Sequence, residues 1–377
     1  MNRFFLIFTG ICLMVGCTAK LPAELVDWQL NGFIKVDSLN PILTPADQMT
    51  FYCPIEQRQI TWESRNVLNP SAVVKNDSVI LLYRAQDAPG TSRIGLAYST
   101  DGLHFEKRSA PVFYPGEDQM KKYEWNYLKM TGQPYDDNCA SCLFDGVEDP
   151  RIVSHPDGGY IMTYTAYDGK TARLAIATSS DLLSWNKHGL VLSDSVFHSH
   201  WSKSGAIISR QIGDQVVAHQ IGGKFWMYFG DKQLHMASSE DLIHWQPLID
   251  DESGQLISVL HPRPGYFDSR LVEPGPYALW TPSGIILIYN ASNAQNQNDP
   301  GLPKFTYAAG QALFDPLVPY RLIERSSDYF LYPDKSYEKV GEVNEVCFVE
   351  GLVPFRNQWF LYYGTADTRI AVAVASQ

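Results

Sequence analysis

Acids, amides and cations return at two fixed places along this chain. One place follows a hydrophobic run that ends in tyrosine. The other opens the strand-like run before it. After Tyr83, Tyr164, Tyr228, Tyr289 and Tyr363 come Arg84 and Asp87, Asp168, Asp231, Asn290 and Asn293, and Asp367. The opening segments carry Asn69-Pro70-Ser71, Glu148-Asp149-Pro150-Arg151, Lys203-Ser204-Gly205, Glu273-Pro274-Gly275-Pro276 and Asn344-Glu345, the last running on to Glu350-Gly351. Several carboxylates converging on one place suit the cleavage of an acetal. One acid protonates the leaving oxygen and, for inversion, a base activates water. Any single Asp or Asn at a strand end is an ordinary turn former. The cations Arg84, Arg151 and Lys203 at matching places shift that balance. Turn chemistry does not call for them, whereas a hydroxyl-rich or anionic ligand does.

The elements that must position these residues follow from the spacing. The five tyrosines stand 81, 64, 61 and 74 residues apart. Self-similarity at such a period marks one supersecondary unit used repeatedly. The unit reads as strand throughout, which predicts an all-β, five-bladed β-propeller. A second mark, Ser-x-Asp with an aromatic four residues after the Asp, recurs at Ser99–Phe105, Ser179–Trp185 and Ser239–Trp245. It reads as a strand ending in an Asx-type turn, with the ring returning to pack between blades. The fifth unit stops at Ile370–Ser376, one strand short. Phe33-Ile34-Lys35-Val36 is expected to supply that strand and close the ring. Innermost strands would then line an axis, with the polar residues above at their ends.

The chain has 377 residues, and the repeats run without a linker to its end, so residues 33–377 read as one propeller domain. Aromatics make up 13% of it. Most serve packing between blades, and the composition also suits a cleft where rings stack on sugars. Net charge is −11 and no basic run appears, which excludes nucleic acid as a partner class. No metal-ligand cluster stands out among the nine histidines, and no cofactor is expected. Arg3 followed by the apolar run Phe4–Val15 reads as a signal peptide over residues 1–16. Leu13-Met14-Val15-Gly16-Cys17 resembles a bacterial lipobox, so Cys17 is the expected lipidation site and residues 17–32 a tether. The implied location is the periplasmic face of a bacterial outer membrane, with the cell surface as the alternative. Cys53, Cys139, Cys142 and Cys347 then remain; Cys139-x-x-Cys142 suggests a local bridge or two free thiols.

Six segments together resemble glycoside hydrolase family 130, which contains β-mannoside phosphorylases and β-1,2-mannosidases on five-bladed propellers. They are Glu148-Asp149-Pro150-Arg151-Ile152, Tyr83-Arg84-Ala85, Ser92–Ala97, Lys203-Ser204-Gly205-Ala206, Asp241–Trp245 and Tyr362–Asp367. The resemblance implies that Asp149 is the general acid, acting through a hydroxyl of the sugar. It also implies a mannose-containing oligosaccharide as substrate.

The chain departs from the phosphorylases of that family at two places. They carry a His-Arg pair where this chain has Phe229-Gly230-Asp231, and a Tyr-His-Gly where it has Tyr289-Asn290-Ala291. Two phosphate ligands are thus replaced, and Glu273 is an added acid. These changes favour water as nucleophile, with Glu273 the first choice of base and Asp231 the second. Asn69, Arg84, Arg151, Lys203, Asn290 and Asp367 are expected to bind sugar hydroxyls. The rival readings are a phosphorylase of the same family and a non-catalytic glycan-binding lipoprotein. Related five-bladed glycosidases acting on arabinans, xylans or fructans begin with an Asp in the first opener, where this chain has Asn69.

Overall fold

The computed structural model describes residues 28–131, 143–193 and 196–377. The expected lipidation site Cys17 and the Cys139–Cys142 pair lie outside them. The described chain is all-β, with helices only at Lys121–Glu124, Tyr127–Thr131 and Ser336–Lys339. Its strands fall into five successive antiparallel meanders. The first three strands of meander 1 are Asn66–Lys75, Ser78–Gln86 and Thr91–Ser99. Meander 2 uses Asp145–Ser154, Tyr160–Tyr167 and Ala172–Ser179. Meander 3 uses Gly205–Ile212, Lys224–Phe229 and His235–Ser239. Meander 4 uses Leu271–Pro274, Gly284–Ser292 and Tyr307–Phe314. Meander 5 uses Cys347–Phe355, Gln358–Thr365 and Arg369–Ser376. Its outer strand comes from the other end of the chain: Ile34 pairs with Val374 and Lys35 with Ala373, as the strand missing from the fifth unit led us to expect.

The strands are buried on both faces because each meander packs on the next. Leu82 and Ile94 share a core with Ile152 and Met162. Ile208 and Tyr228 share one with Leu287 and Tyr289. Val67 and Leu81 share one with Tyr362 and Val372, so the fifth meander also packs on the first. Each such apolar side chain contributes about 1.5–3 kcal/mol on burial. Gly364 shows how close that last contact is: a Cβ there would lie 2.6 Å from Asn69 Oδ1.

The recurring tyrosines are structural. All five are fully buried. Tyr83 donates to Glu63, Tyr164 to Glu124, Tyr289 to Asp268 and Tyr363 to Glu338, at 2.8, 2.8, 2.9 and 2.9 Å. Tyr228 donates instead to the Pro319 carbonyl at 2.6 Å. The Ser-x-Asp segments are the expected turns. In the second, Ser179 Oγ accepts from Leu182 N at 2.8 Å, and Asp181 Oδ1 accepts from the amides of Leu183 and Ser184, each at 2.8 Å. The same bonds recur at Asp101 and Asp241.

Candidate active site

The site forms where the first strands of the meanders begin. Strand register slips between Leu68 and Pro70 and between Glu148 and Arg151. At these bulges Asn69 and Asp149 take left-handed backbone, with φ of 48° and 50°, and Ser204 matches them at 54° just before its strand. Such a conformation costs about 1–3 kcal/mol at a non-glycine residue and persists where surrounding contacts fix it. Asn and Asp bear it best, because their short polar chains bond locally. Here the bulges turn side chains that would alternate toward one place. Asn69 Nδ2 donates to Asp149 Oδ1 at 2.9 Å, and Ser204 Oγ donates to Glu273 Oε1 at 2.5 Å.

Two cations knit the acids together. Arg84 reaches Glu148 Oε1 at 2.6 Å and Asp149 Oδ1 at 3.3 Å. Ser92 Oγ also donates to Glu148, at 3.1 Å. Gly146 lets that serine approach, since a Cβ there would meet Ser92 O at 2.2 Å. Lys203 Nζ stands 3.4 Å from Asp149 Oδ2 and 3.8 Å from Glu273 Oε1. These two carboxyl oxygens therefore flank one ammonium and lie no more than about 7 Å apart.

The charge states differ by environment. Burial outweighs Arg84 at Glu148 and pushes its carboxyl up to about 7. Asp149 is also desolvated, yet Lys203, Arg84, Arg151 and the Asn69 amide hold it below the usual carboxylate range. Desolvation raises Glu273 and Asp231 against the pull of Lys203. It raises Asp367 to about 6 against Arg84.

The structure brings Asn69, Arg84, Asp149, Lys203 and Glu273 into direct contact. Asp231 joins through its field on Lys203 and through a hydrogen bond from Trp201 Nε1. Asp367 stands near enough to Arg84 to raise the stability of its charge. Two expected sugar ligands are placed differently. Asn290 is fully buried and spends its amide on both backbone groups of Val349, at 2.9 and 2.7 Å. Arg151 lies beneath the site, 2% exposed, against backbone carbonyls and Glu350. Asp87 and Asp168 organise their own loops and pair with Arg93 and Arg173, each at 2.7 Å.

The model of glycoside hydrolase family 130, described as beta-1,4-mannooligosaccharide phosphorylase, matches residues 38–377. The chain belongs to glycoside hydrolase family 130. Among characterised relatives of this family 130 chain is the 1,2-beta-oligomannan phosphorylase of Thermoanaerobacter sp. (strain X514). It is 29% identical over 83% of this chain and 90% of its own length. Two solved structures are nearer in sequence. A glycosyl hydrolase from Bacteroides ovatus is 41% identical with a TM-score of 0.85, covering 94% of this chain and 96% of that one. Another is 40% identical with a TM-score of 0.86, covering 93% and 96%. It is described in the words that the GH130 family of mannoside phosphorylases contains glycoside hydrolases that target beta-1,2 mannosidic linkages in Candida mannan.

The family 130 site contains residues that sequence reasoning did not single out. Glu148 stood in a quoted motif but was given no role. Glu350 was named only within an opener. Trp201 and Tyr167 form an edge-on ring pair, 6.2 Å between centroids, beside Asp231 and Glu148. Trp201 is 41% exposed, a ring available for stacking on a sugar.

Proposed function

We propose that this chain is an exported, inverting β-mannosidase that uses water, with Asp149 as general acid and Glu273 as base. The β-1,2 linkage is the preferred substrate by family resemblance. The observation that carries hydrolysis over phosphorolysis is charge. Arg84 is already held by Glu148 and Asp149, Lys203 by Asp149 and Glu273, and Arg151 by Glu350. An arriving phosphate would meet neutralised cations and surplus carboxylates. Water meets no such penalty, and a desolvated carboxylate is a stronger base toward it. Glu273 is preferred to Asp231 because Ser204 fixes it across Lys203 from Asp149. The phosphorylase reading rests on the relatives' activities, and this charge balance speaks against it.

Glu148 and Asp149 share Arg84, so they hold protons as a pair rather than singly. In the free site the proton resides on Glu148. Turnover needs it on Asp149, whose Oδ2 has no hydrogen-bond partner and is covered by the Lys203 ammonium. Lys203 must swing aside or share that oxygen with a sugar hydroxyl.

The five meanders are read as propeller blades, closed where the N-terminal strand completes the fifth. That strand enters beside Val374, at the end of the meander away from Thr365 and the site. A lipid anchor at Cys17 would then leave the catalytic end facing away from the membrane. Mass spectrometry of the mature N-terminus checks this part; an intact Met1 would sink it.

The test of chemistry is β-1,2-mannobiose with and without phosphate. Mannose alone, at a rate phosphate does not raise, is expected. Glu273→Gln should lose about 10²-fold or more and gain nothing from phosphate. Accumulation of mannose-1-phosphate would replace this reading with the phosphorylase.

A further inference from the structure

Phe305 holds a conformation that its side chain resists. Its φ is 67°, in the left-handed region, where a bulky residue is a rare outlier. Surrounding bonds keep it there. Its N–H donates to the Asn293 carbonyl at 2.9 Å, and its carbonyl accepts from Ser292 Oγ at 3.4 Å. Asn293 is fully buried and bends the loop 294–305 back on itself. Its Nδ2 donates to the carbonyls of Asp299, Leu302 and Pro303 at 3.0, 3.1 and 3.2 Å, and its Oδ1 accepts from Asp299 N at 2.9 Å. What these bonds display is a ring. Phe305 is 45% exposed, and the Arg270 guanidinium lies over the ring, 5.1 Å from its centroid. Arg270 is steadied by Ser292, whose Oγ accepts from Nη1 at 3.4 Å and whose carbonyl accepts from the Arg270 N–H at 2.9 Å. An exposed ring adds little to a core, so strain spent on presenting one points to a ligand.

Strand register places the ring at the catalytic end of meander 4. Glu273 lies in one row with Asn290 and Ala309. Leu271, Ser292 and Tyr307 form the row two residues further out, about 7 Å toward the end where the first strands begin. Arg270 precedes Leu271, and Phe305 stands two residues before Tyr307. Both are therefore on the meander of Glu273, outside the acids rather than among them. We propose that Phe305, backed by Arg270, is a specificity-determining residue: it stacks on a third sugar, outside the two joined by the cleaved bond, and so selects β-mannosides of three or more units over mannobiose. The proposal rests on the reading of the site as a mannosidase. The apolar ring suits the C–H face of a pyranose, and the guanidinium donates to its hydroxyls.

The test compares β-1,2-mannotriose with β-1,2-mannobiose. In the wild type KM should be lower for the triose, by about 5–10-fold, the worth of one ring contact. Phe305→Gly removes the ring and suits the left-handed backbone. It should raise KM for the triose by about 5–10-fold, so that the two sugars become equal, and leave KM for mannobiose within about 2-fold. A contact made equally in the bound and transition states changes KM and not kcat, so kcat should stay within about 2-fold for both. Phe305→Tyr keeps a ring and should keep the wild-type ratio of the two KM values.

A ring kept only to hold its loop would behave otherwise. Phe305→Gly would then lower the melting temperature and leave the KM ratio at its wild-type value, and that result overturns the proposal. So would a KM raised equally for both sugars, which would place the ring at the cleaved pair. A wild type that does not distinguish the two sugars overturns it as well, as does Phe305→Tyr with the ratio of Phe305→Gly. If Phe305→Gly does not fold, Phe305→Leu carries the test: it keeps apolar bulk without a flat ring, and it should move the ratio in the same direction. An unmoved ratio there overturns the proposal equally. Failure of the mannosidase reading is seen separately, as a wild type that turns over neither sugar, and it would remove this proposal too. Phosphate dependence would change only the nucleophile and leave the comparison of the two sugars standing.

Discussion

Buried acids beside cations occur in two regions of this molecule, and they are finished differently. At the tyrosines each acid has its full set of partners. Glu63 accepts from Tyr83 and pairs with Lys107 at 2.6 Å; Glu338 accepts from Tyr363 and pairs with Lys35 at 2.7 Å. Glu124 with Lys187, and Asp268 with Arg263 and Arg325, follow the same plan. No oxygen of these four acids is left without a partner. At the site, Asn69 Oδ1 and Asp149 Oδ2 are buried acceptors without a hydrogen-bond partner. Unsatisfied buried acceptors cost about 1–3 kcal/mol each. The same chemistry therefore stabilises the fold where it is complete and is reserved for a ligand where it is not.

Removing a charge from each region tests that contrast most directly. Asp149→Asn should lower kcat by about 10²–10⁴-fold, because an amide cannot supply a proton at neutral pH. Its melting temperature should fall less than on removal of one of the structural acids, since Asp149 Oδ2 has no hydrogen-bond partner to lose. A near-native rate on β-1,2-mannobiose would show that Asp149 is only the turn residue of its bulge. A large loss of stability would place it with the structural acids instead.

The structural region should answer in the opposite sense. Tyr83→Phe removes the hydroxyl that donates to Glu63 Oε2, in a residue with no exposure. It should cost about 1–3 kcal/mol in denaturant unfolding and leave kcat of the folded protein unchanged. Tyr228 is the internal control. Its hydroxyl serves a backbone carbonyl rather than a carboxylate, so Tyr228→Phe should cost less, about 0.5–1.5 kcal/mol. Equal losses at the two positions would mean that the carboxylate adds nothing.

The two regions were unequally legible in the sequence. The tyrosines announced the meanders because a strand end recurs once per unit. Their acids could not be found that way. They precede their tyrosines by 20, 40, 21 and 25 residues, on connecting segments with no common spacing. At the site, Asp149, Glu273, Arg84 and Lys203 were readable from their places at strand ends. Glu148 was not, because neighbouring residues of a regular strand face opposite sides. Only the bulge at Asp149 lets both acids reach Arg84. Asn290 had the position of a ligand, but its amide serves the backbone of the adjoining meander. Position in a repeat tells where a strand ends, not which neighbour its side chain finds there.

The smallest expected effect concerns how the surplus of acids at the site varies with pH. Glu148 is raised to about 7 and Asp367 to about 6, both by desolvation. A raised carboxyl stays neutral to higher pH, so both are largely protonated at pH 5.5 and ionised at pH 8. Over that range the site becomes more negative while Arg84 and Lys203 keep their charges. An anion should then bind more weakly as pH rises. Sulfate is the suitable probe, because it is a dianion throughout and only the protein titrates. Its inhibition constant against β-1,2-mannobiose cleavage should rise several-fold, about 3–10-fold, between pH 5.5 and pH 8. Tyr83→Phe should leave that change intact, and Glu148→Gln should remove about half of it on a logarithmic scale. A constant independent of pH would mean that these acids are as fully neutralised as those beneath the tyrosines, and the contrast between the two regions would fail.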